Sequence, residues 1–134
     1  MIDWDRLERE ARSVQQRAHA PYSRYFVGAA LQTAKGSVFA GCNVENASYG
    51  LSICAERSAI VQMVAAGERD LAAIVVVTPG PVLGTPCGAC RQTLAEFARE
   101  LPVRLVVADG AVPAQLTSLA ALLPDAFRNE ALKI

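Results

Sequence analysis

Two cysteines three residues apart, Cys87 and Cys90, follow Thr85 and Pro86 in the stretch TPCGACRQ. Thr85 reads as a helix N-cap and Pro86 as the first helical residue, which puts both thiols on one face of the opening turns. Backbone N–H groups lack partners there and the helix dipole favours negative charge, so the pair is placed to ionise. Ionised thiols suit either a metal or redox chemistry. A third thiol, Cys54, opens another predicted helix in the phrase ICAER, so it too stands at a helix N-terminus. Three thiolates suit zinc (iron would accept them too), and the fourth ligand decides between a structural and a catalytic metal.

The two remaining candidates are poor fourth ligands. Cys42 shares a strand face with Val38, Ala40 and Val44 and reads as a core residue. His19, the sole histidine, ends the first predicted helix and reads as a partly exposed cap. Cys54 has Leu51 and Arg57 three residues away, hence no paired thiol, whereas structural sites usually pair their ligands as C-x-x-C twice. The reading is therefore an open, catalytic site. Glu56 stands in the first turn beside it, and either complements the helix dipole or carries a proton between water and substrate. On the strand before, Asn43 and Glu45 share the face opposite Cys42 with Phe39 and Gly41. An amide and a carboxylate so placed either grip a sugar hydroxyl or form a wet strand end.

The elements that position these residues follow from periodicity. Residues 3–20 read as a helix with Asp3 as N-cap and Leu7, Ala11, Val14 and Ala18 at helical spacing. Strands near 26–34 and 37–45 form a hairpin across Lys35-Gly36. A helix over 54–67, with Ser52 as its candidate N-cap, closes at Gly67. The apolar runs 72–78 and 101–109 read as strands buried on both faces. Between them lie the irregular loop 78–84 and the helix 86–100, and a short helix at 117–124 ends the pattern. FRNEALKI at the end is either an extra helix or a loose tail. The order predicts an α/β fold, a mixed sheet with helices on both faces.

Bulk properties narrow the classes. At 134 residues the prior is one domain with a sizeable core, and a hydrophobic content of 52% with only 6% aromatics makes that core one of Ala, Val and Leu. Thirteen basic residues balance thirteen acidic ones and the isoelectric point is near 6.6, so no electrostatic footprint for nucleic acid or an anionic membrane is present. The start MIDWDRLERE is wrong for a signal peptide, and LAAIVVV at 71–77 is too short to span a bilayer. Free cysteines without a secretory signal favour metal or catalysis over disulfides, and the expected location is cytoplasmic.

Together these words resemble a known family. CAE followed by PCGAC is similar to the signature of the zinc-dependent deaminases, with Cys in place of His as first ligand. PYSRYFVGAAL, GCNVENASYG, CAERSA, PCGACRQ and LLPDAF stand in the order of the small cytidine deaminases, over about residues 14–127. The resemblance implies a three-layer α-β-α fold on a mixed five-stranded sheet, one Zn²⁺ per chain on Cys54, Cys87 and Cys90, and Glu56 as proton shuttle. Arg57 would offset the charge of the thiolates. Asn43 and Glu45 would clamp the ribose, the Ala55 backbone would hold the pyrimidine edge, and Tyr25 would pack on the base where the family usually carries Phe. Phe26 stands where a smaller or polar residue is usual, and His19 where Tyr is. Tyr49 and Phe127 resemble residues that close the pocket from neighbouring subunits of a homotetramer. The implied reaction is deamination of cytidine and 2′-deoxycytidine to uridine and 2′-deoxyuridine plus ammonia, in pyrimidine salvage.

Four other readings compete. A deaminase of a cytosine-nucleoside antibiotic of the blasticidin S type lacks the ribose clamp that NVEN supplies here. A polynucleotide editor would need a basic surface. A zinc-stapled, non-enzymatic module would show a fourth protein ligand and indifference to Glu56. A dithiol redox pair would leave Cys54 unexplained.

Overall fold

The computed structural model describes residues 1–132. Helix α1 (Trp4–Gln15) starts where expected, with the Asp3 carboxylate accepting from the Arg6 N–H at 3.1 Å. It stops well short of residue 20, because the chain turns there and the buried Gln15 side chain donates to the Phe26 carbonyl at 2.9 Å. His19 is therefore not a cap of this helix. It is exposed, and its backbone bridges Val44.

Strands β1 (Gly28–Thr33) and β2 (Val38–Cys42) form the expected antiparallel hairpin, and Gly36 takes the positive φ of +89° that its turn requires. Helix α2 (Ala55–Ala65), strand β3 (Leu71–Thr78), helix α3 (Gly88–Phe97) and strand β4 (Pro102–Val107) follow. Residues 117–124 depart from expectation. Gln115–Ser118 is a fifth strand, β5, antiparallel to β4, and only Leu119–Leu122 is helical (α4), capped by the Ser118 hydroxyl. The apolar periodicity of Leu119 and Leu122 is genuine, but the residues before it pair with a sheet edge. A 3-10 turn at Asn129–Leu132 occupies much of the last expected segment, whose Lys133 and Ile134 lie outside the described residues.

The sheet order is β2-β1-β3-β4-β5. Because β1 is antiparallel to both β2 and β3, and β4 is parallel to β3, strands β2, β3 and β4 all point the same way. Helix α2 follows β2 and α3 follows β3, so both helices begin at one edge of the sheet. Both also lie on one face, where Ala59, Met63 and Leu94 pack against Leu31, Ile74 and Val103. Helix α1 covers the other face through Leu7 and Ala11 over Ala30, Val75 and Val77. The fold is α/β, in three layers around a mixed five-stranded sheet. Cys42, expected in the core, is only half-buried, because β2 is an edge strand and Cys42 is its last residue.

The α2 layer sits unusually close to β2. A Cβ at Gly41 would lie 2.5 Å from the Ala59 nitrogen and 2.8 Å from the Ala55 carbonyl oxygen, both helix backbone that has no room to yield. Gly41→Ala should therefore push α2 outward and destabilise the protein by about 1–3 kcal/mol. Gly50→Ala, where a Cβ would meet nothing within 4 Å, is the control. Denaturant midpoints measure both, and an unchanged midpoint for Gly41→Ala would show that the close approach is not required.

Candidate metal centre and adjoining cavity

Cys54 is the N-cap residue of α2 and Cys87 that of α3, with Cys90 in the first turn of α3. The expected caps, Ser52 and Thr85, thus lie two residues too early. Thr85 is otherwise engaged: its hydroxyl accepts from Arg91 Nη2 at 3.1 Å, while Arg91 Nε donates to the Pro86 carbonyl at 2.6 Å and Nη1 to the Leu122 carbonyl at 2.7 Å. Arg91 therefore ties the loop before Cys87 to α4, a role that residue type and spacing do not reveal.

The three thiols converge. Their sulfur atoms lie within 4.8 Å of one another, and Cys54 Sγ is 3.7 Å from Cys87 Sγ. A tetrahedral zinc with metal–sulfur arms of about 2.3 Å has sulfur–sulfur edges of roughly 3.8 Å, so the spacing fits. Among the described residues no His, Asp or Glu joins the trio within that distance, which leaves a fourth position for a non-protein ligand. Cys42 and His19 stand outside it.

The electrostatics agree. The Cys54 thiol is drawn down to about 5, first by a hydrogen bond with Cys90 and then by Arg57 and Cys87, with burial opposing. Cys90 is pushed up by the same bond with Cys54, by burial and by the Glu56 charge. Cys54 is thus drawn towards its thiolate and Cys90 towards its thiol. The Arg57 guanidinium lies 3.5 Å from Cys54 Sγ through Nη2. Glu56 is 4% exposed, and burial pushes its carboxyl above the usual carboxylate range; its own backbone N–H opposes the shift and the Cys54 charge adds to it.

A cavity of about 170 Å³ opens beside the thiols. Cys54, Ala55, Glu56 and Cys87 line one end, and Tyr25 and Asn43 the other. The walls add Val27, Val76, Thr78 and Thr85, which residue reasoning missed. Thr78 carried a signal, as the polar residue ending a buried strand at the edge where α/β sheets bind ligands. The Tyr25 phenol crosses the cavity wall towards Gly84, where a Cβ would stand 2.6 Å from the hydroxyl. Glu45 lines the adjoining hollow with Tyr22, Ser23, Tyr49 and Ser52. Tyr49 stacks edge-on against Tyr22 with ring centroids 5.7 Å apart. Tyr49 and Phe127 are 74% and 60% exposed and lie outside the thiol cavity, and Gln92 holds the Phe127 carbonyl at 2.8 Å.

Comparison with known proteins points one way. Residues 1–106 match the family model for the cytidine and deoxycytidylate deaminase zinc-binding region. The cytidine deaminase of Halalkalibacterium halodurans is 46% identical over 132 residues, 96% of this chain and 97% of that protein. That of Sporosarcina psychrophila is 42% identical over 134 residues, covering 98% and 96%. The crystal structure of cytidine deaminase from Burkholderia pseudomallei superposes with a TM-score of 0.86 at 48% identity, over 95% of this chain and all of that one.

The geometry separates three cysteines from the fourth. Replacing Cys54, Cys87 or Cys90 singly with Ser should lower bound zinc from about one per chain to a small fraction of that, whereas Cys42→Ser should leave it unchanged. Metal analysis of the purified variants measures this, and zinc loss in Cys42→Ser alone would place the site elsewhere.

Proposed function

The chain belongs to the cytidine and deoxycytidylate deaminase family, and from that premise we propose that the cavity beside Cys54, Cys87 and Cys90 is its active site. The activity is hydrolytic deamination of cytidine: the oxygen of water adds at C4 of the pyrimidine, the C4–N4 bond breaks, and uridine and ammonia leave. The observation that carries the placement is a small cavity that Cys54, Cys87 and Glu56 line together with Tyr25 and Asn43.

In this reading Cys54, Cys87 and Cys90 hold one zinc, which when bound supplies a Lewis acid that makes water acidic enough to react near neutral pH. Glu56 is the proton carrier. Its buried carboxyl takes one proton from water and delivers it to N3 of the ring, then takes the second from the hydroxyl added at C4 and passes it to the departing amine, which leaves C4 as the carbonyl of uridine. Arg57 offsets thiolate charge through Cys54. The Ala55 backbone borders the pyrimidine edge, Tyr25 packs on the base, and Asn43 and Glu45 take the ribose. A clamp on sugar hydroxyls favours nucleosides over the free base, since polar groups are otherwise left unpaired, and it disfavours the antibiotic-deaminase reading.

The finer assignments extend this. Residues 1–134 act as one catalytic domain in pyrimidine salvage, with 2′-deoxycytidine as a second substrate. No described helix is long and apolar enough to cross a membrane, and the expected location is the cytoplasm. Tyr49 and Phe127, large and exposed, are suited to complete a neighbouring subunit's site in a homotetramer.

The test pairs metal content with the ultraviolet change on cytidine. Glu56→Gln should retain about one zinc per chain while turnover falls by roughly 10²–10⁴. Wild-type protein that holds zinc but leaves cytidine untouched would overturn the function. Arg57→Ala, by contrast, should weaken zinc affinity by about tenfold or more, read by competition with a chelating dye.

A further inference from the structure

The sugar end of the cavity is built from a segment without regular structure, residues 20–27, and its hydrogen bonds are unusual in their economy. The Glu45 Oε1 oxygen accepts two backbone N–H groups, from Tyr22 at 3.0 Å and from Ser23 at 3.2 Å. Its other oxygen, Oε2, accepts the Ser23 hydroxyl. The same Ser23 oxygen accepts the Tyr25 N–H at 3.0 Å. On the far side the Asn43 amide donates to the Tyr25 carbonyl at 2.8 Å and accepts from the Val27 N–H at 2.9 Å. Both backbone polar groups of Tyr25 are therefore tied to the two residues assigned to the ribose, one directly and one through Ser23.

Two consequences follow. A carboxylate has about four acceptor directions, and three of those on Glu45 are filled by this segment. The remaining one lies on Oε2, and the Ser23 hydroxyl determines where it points. Between Ser23 and Tyr25, moreover, Arg24 sits at φ +59°, a left-handed conformation that a non-glycine residue keeps only when its surroundings enforce it. The bonds from Ser23 and Asn43 to Tyr25, with the Arg24 N–H donating to the Ala20 carbonyl at 3.0 Å, supply that enforcement.

We propose that Ser23 is the positioning residue that couples sugar recognition to the base pocket, its single hydroxyl orienting both the free acceptor of Glu45 and the backbone of Tyr25. This rests on the reading above, that the substrate is a pyrimidine nucleoside with its sugar at Asn43 and Glu45. Ser23 touches no reacting atom. Its effect is expressed as selectivity for a hydroxylated sugar.

The experiment compares wild type, Ser23→Ala and Ser23→Thr on cytidine and on 2′,3′-dideoxycytidine, with KM and kcat resolved and zinc content and Tm as controls. Ser23→Ala should keep its zinc and raise KM for cytidine by about tenfold more than for the dideoxy substrate, the size expected when one hydrogen bond to a charged group is lost. Its kcat on cytidine should stay within about threefold of wild type. Ser23→Thr, which restores the hydroxyl, should recover most of the difference. Equal losses on both substrates, or no change in KM for cytidine, would overturn the proposal and leave Ser23 a merely structural link. Failure of the wild type to deaminate cytidine would instead remove the functional premise, and the proposal with it.

Discussion

Holding three sulfur atoms within 4.8 Å of one another is the constraint that the rest of the structure obeys. As thiolates they repel, and the fold meets that repulsion with fixed positive ends before any cation is added. Cys54 and Cys87 each occupy the N-cap of a helix, with Cys90 one turn in, so the thiols face the unpaired N–H groups and the positive pole of two dipoles. Two helix N-termini meet at one point only if both helices start at one edge of the sheet and lie on one face. The common direction of β2, β3 and β4 supplies the edge, and the packing of α2 and α3 over Leu31, Ile74 and Val103 supplies the face.

The two ends of the cavity are held by different physics. The thiol end stands on helices packed against β3, whose residues are buried almost throughout, and α2 approaches β2 closely enough that only glycine fits at 41. Such a platform is rigid because any displacement opens a void or forces a clash. The other end is a segment held by side-chain hydrogen bonds from Asn43 and Glu45, with no buried apolar residue between Pro21 and Phe26. On the proposed reading, chemistry that needs fixed geometry lies on the platform, and recognition, which must admit and release a ligand, lies on the segment that polar bonds hold.

This division also governs what was legible in the sequence. The thiol trio and Glu56 are short-range patterns that helix periodicity exposes directly, whereas β2 ends at Cys42, so Asn43 and Glu45 lie beyond the strand whose face they were expected to share. Strand β5 was not legible, because QLTS is polar and pairs with an edge, so the apolar spacing of Leu119 and Leu122 made the whole stretch look helical. The caps were misplaced for a related reason. Ser52 and Thr85 are the better N-cap types, but the Thr85 hydroxyl is taken by Arg91, and the metal-ligating role puts cysteine at positions that local propensity disfavours. The bonds of Glu45 and Asn43 to residues 22–27 span 16 to 23 positions along the chain, beyond any local rule.

Charge balance ties Glu56 to this arrangement on the proposed reading. Three thiolates and an ionised Glu56 bring four negative charges into a small volume. A divalent cation and the Arg57 guanidinium return three. The remaining deficit is one proton, and the group placed to accept it is Glu56, whose burial and proximity to Cys54 already favour its neutral form. A carboxyl surrounded in this way takes a proton readily from an acidified water and holds it close to the ring nitrogen. It gives that proton up to N3, collects a second from the hydroxyl added at C4, and passes that one to the departing amine. The surplus of thiolate charge that makes the metal site hard to assemble is thus what makes the neighbouring carboxyl a competent carrier.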